Sequence, residues 1–332
     1  MLTRLNFTHS LCFLLLALGA TQLGAFSQEA LPVLCIFLVM SIGTSHGALD
    51  HLKGRKVSDA LHVESIVPFY VLYIALAVMT FCVWLISPAF LWASFLAVAA
   101  YHFGKEDAEF AVTERSPLHE ALFLFKGCAV IAGPLLLSRA ETLEIFLALN
   151  LDLSSSPLIR PEFLVGVLGL SLGSSLLLGR GQPRQVQALL VSDLLAVILL
   201  NVALHPLLAF TLYFCLLHSV RHSLSLMLEL GPNLKAGFGV FVRKALPLTL
   251  VVAVVFLSSF QYIRAEYALS DAVSKVVFVG LAALTFPHIL LEYLFERFSD
   301  DGSSGGVKSI EVVRRDSRPT ALMMQKRPTI IG

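Results

Sequence analysis

Charge is what this chain has least of. Asp, Glu, Lys and Arg supply 14% of 332 residues while hydrophobic types supply 57%, where an ordinary soluble domain carries roughly a quarter charged residues. So little charge cannot cover a water-facing surface, which excludes a soluble domain and makes lipid the solvent over most of the length. No basic face of the kind nucleic acid requires is present, and the formal net charge is only +1. The five cysteines, Cys12, Cys35, Cys82, Cys128 and Cys215, each lie inside an apolar stretch. Without paired spacing they form no disulfide framework or zinc knuckle and read as small buried hydrophobes. The alternation of a membrane barrel strand is missing. So is an internal repeat with paired broken helices, the mark of many secondary transporters.

What remains is a succession of apolar stretches of about 17 to 25 residues, the length a helix needs to cross a ~30 Å hydrocarbon layer. In that layer each backbone N–H and C=O must be satisfied within its own segment, so each stretch is a helix. The expected fold is all-α, a polytopic membrane bundle of about 8 to 10 transmembrane helices. Ten candidate spans are read at about 8–26, 31–50, 66–87, 89–105, 119–138, 162–179, 186–204, 206–229, 243–262 and 272–296, with the fourth and sixth weakest. Residues 1–298 form one membrane-embedded catalytic domain and 299–332, polar and poor in apolar residues, a disordered cytoplasmic tail. The first span also fits a cleaved signal peptide, since Arg4 precedes its apolar core and Gly24-Ala25 follow it. A retained anchor is the preferred reading, because almost no polar spacer separates it from the next segment.

Sorting basic residues by loop orients the chain. With the N-terminus inside, inside segments hold Arg4, Lys53, Arg55, Lys56, Lys105, Arg115, Arg180, Arg184, Lys235, Arg243 and Lys244, and the tail begins at Arg297. Outside loops hold Arg139, Arg160 and Arg264. The positive-inside rule then puts both termini in the cytoplasm of a multi-pass cell-membrane protein.

Ten histidines are present, and their depth is informative. His46 (in SIGTSHGALDH), His102 (in AAYHFGKED), His218 and His222 (in CLLHSVRHSL) and His288 (in TFPHILLEY) all fall late in even-numbered spans. Those spans run from outside to inside, so the five imidazoles share one level in the cytoplasmic half of the bilayer. One histidine in an apolar helix commonly just bonds to a neighbouring helix, but several at one depth point to a common partner. The i, i+4 spacing of His218 and His222 puts both on one helix face, about 6 Å apart along the axis. Imidazole suits iron, zinc, copper or nickel. A buried all-nitrogen site fits non-haem iron acting on an apolar substrate, with zinc and a structural network as the alternatives. His9, His51, His62, His119 and His205 fall at span ends or in loops, and substitution of His9 or His62 is expected to be silent. Asp50, Glu106, Asp107 and Glu292 are the carboxylates near the site level, and His51 is a candidate for orienting a ligand imidazole. Arg221 lies on another face, and Asp193 and Lys126 have no partner that spacing identifies.

GTSHGALDH, AYHFGKED, LHSVRHSL and FPHILLEY, in this order and at these separations, resemble the Brp/Blh family of β-carotene 15,15′-dioxygenases. The resemblance runs from about Ser41 to Phe298, and its specific parts are the HGALDH segment and the HSVRH pair. It implies oxidative cleavage of all-trans-β-carotene at the central 15,15′ double bond to two all-trans-retinal, by Fe(II) held by His46, His102, His218 and His222. His288 belongs to a recurring PH segment and is not counted among the ligands. The usual proline before the first ligand is Ser45 here. The implied partners are β-carotene and dioxygen as substrates, membrane lipid, and a retinal-accepting rhodopsin. The substrate channel should be apolar and aromatic, with Tyr101, Phe103, Tyr213, Phe214 and Phe286 as lining candidates. A desaturase-like or hydroxylase-like membrane oxidase is the competing enzyme, although such families show denser histidine boxes. A proton-coupled transporter is the competing non-enzyme, although these histidines share a depth and trace no path across the bilayer.

Overall fold

The apolar stretches do fold as helices, and the computed structural model describes residues 2–21, 30–45, 47–112 and 115–301. No strand occurs among the described residues. In chain order the α-helices are α1 Leu2–Ala20, α2 Ala30–Leu38, α3 Asp50–Ala60, α4 Val67–Ile86, α5 Pro88–Glu106, α6 Pro117–Gly127 and α7 Ala129–Leu137. They continue with α8 Arg139–Ala148, α9 Pro161–Leu178, α10 Arg184–Ala203, α11 Pro206–Leu212, α12 Val220–Leu230, α13 Leu234–Ile263 and α14 Leu269–Asp301. Proline opens several of them, at Pro88, Pro117, Pro161 and Pro206, where its missing N–H costs nothing. Eight helical runs among the described residues are long and apolar enough to cross a membrane. The chain is therefore an all-α polytopic membrane protein. The first and fourth candidate spans are helical as α1 and α5 but fall outside those eight. The tail expected to be disordered lies, from residue 302, outside the described residues, as do Gly24 and Ala25.

Two departures from regular helix shape the site. The second span, expected to run unbroken over 31–50, instead passes from α2 into a π-helical turn, Val39–Gly43, and then breaks at Thr44 and Ser45 before α3 begins at Asp50. The Thr44 and Ser45 hydroxyls donate back to the Met40 and Ile42 carbonyls, a local competition that ends a helix. A second π-helical segment, Tyr213–Ser219, joins α11 to α12 and carries His218; single π turns are frequent at functional sites. The two π segments pack on each other, and Ser219 Oγ donates to the Gly43 carbonyl at 3.1 Å. A Cβ on Gly43 would stand 2.6 Å from the Phe214 ring, so only glycine lets them approach this closely.

The α5–α6 contact is tighter still. A Cβ on Gly104 would overlap the Phe123 carbonyl oxygen, and one on Gly127 the Ala100 carbonyl oxygen. This is the small-residue contact by which membrane helices bring their backbones together. It places Gly104, two residues after His102, in the packing of the bundle.

Buried charge ties α10 to α12. Arg221 Nη1 donates to Asp193 Oδ2 at 2.8 Å and Nη2 to Asp193 Oδ1 at 3.1 Å, while Nη2 also reaches Ser10 Oγ of α1 at 2.6 Å. Asp193 thus has a partner that spacing did not reveal, and Arg221 Nη1 also donates to the Asp107 carbonyl at 3.3 Å. The sequence reading of His9 as a dispensable group at a span end is corrected. It lies within α1, and its Nε2 donates to the Leu216 carbonyl at 2.7 Å, inside the π segment that carries His218. His62, by contrast, is exposed.

Three substitutions test this packing. Gly104→Leu should abolish accumulation of folded protein. Asp193→Asn, which strands the buried guanidinium, should destabilise by about 3–5 kcal/mol. His9→Ala should cost about 0.6–1.7 kcal/mol and lower the thermal midpoint in detergent, while His62→Ala leaves it unchanged.

Candidate metal centre

The site assembles where the ends of α5, α12 and α3 meet the middle of α14. His102 stands near the end of α5, His218 in the π segment, His222 in the first turn of α12 and His288 within α14. The His102 ring centroid lies 5.1 Å from that of His218 and 5.3 Å from that of His288, both edge-on. His222 and His288 are 6.4 Å apart. Of the residues predicted from sequence, His102, His218 and His222 are thus brought into one cluster. His46 lies outside the described residues, although its neighbour Gly47 passes close to His288, with an added Cβ 4.0 Å from His288 Nδ1. The histidine set aside on sequence, His288, stands inside the cluster and is buried.

Three of these imidazoles hydrogen-bond to a carboxylate, and the fourth faces one. His222 Nδ1 donates to Glu106 Oε2 at 2.7 Å, and His288 Nδ1 sits 2.9 Å from both Asp50 oxygens. His218 Nδ1 donates to Asp107 Oδ1 at 3.4 Å. His102 Nδ1 faces Glu292 Oε2 at 4.0 Å, an ion-pair distance beyond a hydrogen bond. A carboxylate only accepts, so Nδ1 carries the proton in the three bonded rings, and in the neutral ring Nε2 is then the ligand nitrogen. This is how metal-binding histidines are usually held. The carboxylates are braced in turn: Tyr73 Oη donates to Asp50 at 2.9 Å, Tyr213 Oη to Asp107 at 2.7 Å, and Lys53 pairs with Glu292.

Two sets of donor atoms lie within 4.8 Å of one another: His102, His288 and Glu292, and Glu106, His222 and Glu292. The charge balance fits a cation. Asp50, Glu106, Asp107 and Glu292 stand against the histidines, with Lys53 the cation paired among them. Imidazole and carboxylate donors together suit iron, zinc or manganese.

Histidines outside the cluster bond differently. His51, weighed as an orienting group, donates Nδ1 to the Ala48 carbonyl at 3.0 Å, while its neighbour Asp50 does the orienting. His205 caps α11 by accepting from the Leu207 N–H. Lys126 lines a smaller cavity of about 310 Å³, mostly apolar but holding Asp107, Asp193, Ser171 and Tyr213 in its wall.

A larger cavity, about 670 Å³, adjoins the cluster through Phe103, whose ring is 4.8 Å from His218. Its walls are apolar, with Trp92, Phe95, Phe146, Phe210 and Phe278 among them. Thr142 also lines it, but its hydroxyl donates to the Pro134 and Ser138 carbonyls. Of the five aromatics proposed from sequence, Phe103 lines this cavity. Tyr101 instead donates to Glu120 at 2.5 Å, Tyr213 belongs to the smaller cavity, Phe214 packs under His218, and Phe286 sits behind Phe95 at 6.5 Å. The aromatics that sequence missed, Phe210 and Phe278, lie far apart in the chain, and their meeting at 5.0 Å is a tertiary event.

Fold and cluster together define a membrane protein with a buried histidine–carboxylate centre able to hold a metal ion. A family model described as beta-carotene 15,15′-dioxygenase matches residues 37–296. A curated relative, the beta-carotene 15,15′-dioxygenase of uncultured marine bacterium 66A03, is 27% identical over 264 residues, covering 79% of this chain and 93% of the relative. No solved structure matches. The chain belongs to the β-carotene 15,15′-dioxygenase family and is a dioxygenase enzyme.

If the carboxylates orient ligands, Glu106→Gln and Asp107→Asn should each weaken metal binding about 10–100-fold. Chelator competition on the purified protein measures this, and unchanged affinity in both variants would remove the orienting role.

Proposed function

We propose that this enzyme cleaves all-trans-β-carotene at its central 15,15′ double bond, giving two molecules of all-trans-retinal, with Fe(II) bound at the histidine cluster. The observation that carries the reading is the apposition of two unlike spaces. Imidazoles with carboxylate partners stand at one end, and an apolar cavity opens beside them, separated from His218 by the ring of Phe103. A hydrocarbon substrate needs that apolar wall and no polar anchor. On α5 the lining residues Trp92, Phe95, Leu96, Ala99 and Phe103 share one helix face. They span about 16 Å at 1.5 Å per residue, a run suited to one half of an extended polyene whose midpoint lies at the cluster.

The ligands carried by the family motifs are His46, His102, His218 and His222. When bound, ferrous iron supplies the one-electron chemistry through which dioxygen reacts with a closed-shell alkene. The protein's own part is to hold the imidazoles in one tautomer through Glu106 and Asp107 and to keep water from the reacting carbons. The central C=C bond breaks, and both of its carbons end as aldehyde carbonyls.

We further place the cluster in the cytoplasmic half of the cell membrane, within a multi-pass catalytic domain reaching residue 298, with both termini in the cytoplasm. Its end of the bundle carries Lys53, Lys105 and Arg115, with Lys105 and Arg115 paired to Glu296 at 2.5 and 2.8 Å. That enrichment agrees with the positive-inside rule. β-Carotene then reaches the cavity from the lipid.

Expression in β-carotene-producing cells should discharge the orange colour and yield retinal by chromatography. His46→Ala, His102→Ala, His218→Ala and His222→Ala should each abolish retinal and lower bound iron, and near-normal turnover in His222→Ala would exclude the paired-ligand arrangement. Ala99→Trp, which fills the cavity, should abolish retinal while leaving metal content intact; full activity in that variant means the substrate lies elsewhere.

A further inference from the structure

We propose that His288 is a further ligand of the bound metal and that Asp50 is the carboxylate that orients it. This rests on the metal-dependent reading above and extends the donor set beyond the four histidines carried by the family motifs.

Histidines of this bundle divide by their hydrogen-bond partners. Outside the cluster, His9 donates to the Leu216 carbonyl and His51 to the Ala48 carbonyl. Those in the cluster use carboxylates, His222 with Glu106 and His218 with Asp107. His288 falls in the second group, with Nδ1 at 2.9 Å from both oxygens of Asp50. That bond protonates Nδ1, and Nε2 faces Glu292 Oε1 at 3.8 Å, so the neutral ring offers Nε2 to an ion held there with that carboxylate.

Position agrees with bonding. The His288 ring meets His102 edge-on at 5.3 Å, and donor atoms of His102, His288 and Glu292 lie within 4.8 Å of one another. A helix that served only to pack has no reason to bring a nitrogen and a carboxylate, i and i+4, to face His102.

The support behind His288 is built from three helices. Asp50 opens α3, and Tyr73 of α4 donates to it at 2.9 Å while also reaching the Leu284 carbonyl of α14 at 3.4 Å. Pro287, inside α14, contributes no N–H to the helical ladder. Tyr73 therefore bonds both to the carboxylate that orients His288 and to the helix just before the proline. Such bracing is what a ligand must have to keep its geometry.

The test uses the purified full-length protein, with metal per chain by mass spectrometry and affinity by chelator competition. An orienting group costs about 10–100-fold in affinity, so Asp50→Asn should fall in that range and His288→Ala beyond it. Because His288→Ala also removes packing volume, His288→Cys loaded with Co(II) gives a direct reading. A thiolate on the metal adds a near-ultraviolet thiolate-to-cobalt charge-transfer band that the wild-type protein lacks. Metal retained at wild-type affinity in His288→Ala, or cobalt bound in His288→Cys without that band, overturns the proposal. If His218→Ala loses metal while His288→Ala keeps it, the ligand role of His288 fails and the metal-dependent reading survives. A wild-type protein that binds no metal fails both.

Discussion

The pairing of buried imidazole with buried carboxylate is the interaction on which the rest of this structure depends. A lone charge in the low-dielectric interior of a membrane bundle is severely unfavourable, and a lone polar group is costly. His222 with Glu106, His288 with Asp50 and His218 with Asp107 share that cost between them. The cationic side chains follow the same rule, Arg221 with Asp193 and Lys53 with Glu292. The carboxylates gathered on these imidazoles suit a bound cation.

The helices are placed to make those pairs. The π segment at Tyr213–Ser219 presents His218 toward Asp107 at the end of α5, while Arg221, a turn later, faces α10 and α1. The opposing π turn at Val39–Gly43 brings in the broken second span, whose continuation delivers Asp50. Glycine contacts at Gly104–Phe123 and Gly127–Ala100 hold α5 against α6, so the His102 helix has little freedom to drift. Polar and apolar tasks share α5. Trp92, Phe95, Leu96, Ala99 and Phe103 line the apolar cavity, while His102, Glu106 and, at the cap, Asp107 serve the cluster.

Much of this was legible before any coordinates. Long apolar runs in a chain with little charge admit no fold but helices, because lipid offers the backbone no other hydrogen-bond partner. The shared depth of His102, His218, His222 and His288 followed from span order alone, and the structure does draw those rings together. Less was legible where local pattern and tertiary contact diverge. His9 lies in a stretch with no motif and still bonds to the π segment beside His218. His288 and Asp50 are 238 positions apart, and no spacing rule could join them.

What the sequence determined by itself was the solvent, the helical class and the residue types gathered at the site. Those depend on composition and on periodicity along one helix, both local properties. The tertiary structure alone decided which carboxylate serves which imidazole, that His288 belongs inside the cluster, and that Phe210 and Phe278 close a cavity while Tyr101 does not. Those outcomes turn on how helices rotate and cross, which is set by contacts such as Gly43 on Phe214 and Gly104 on Phe123 between segments far apart in the chain.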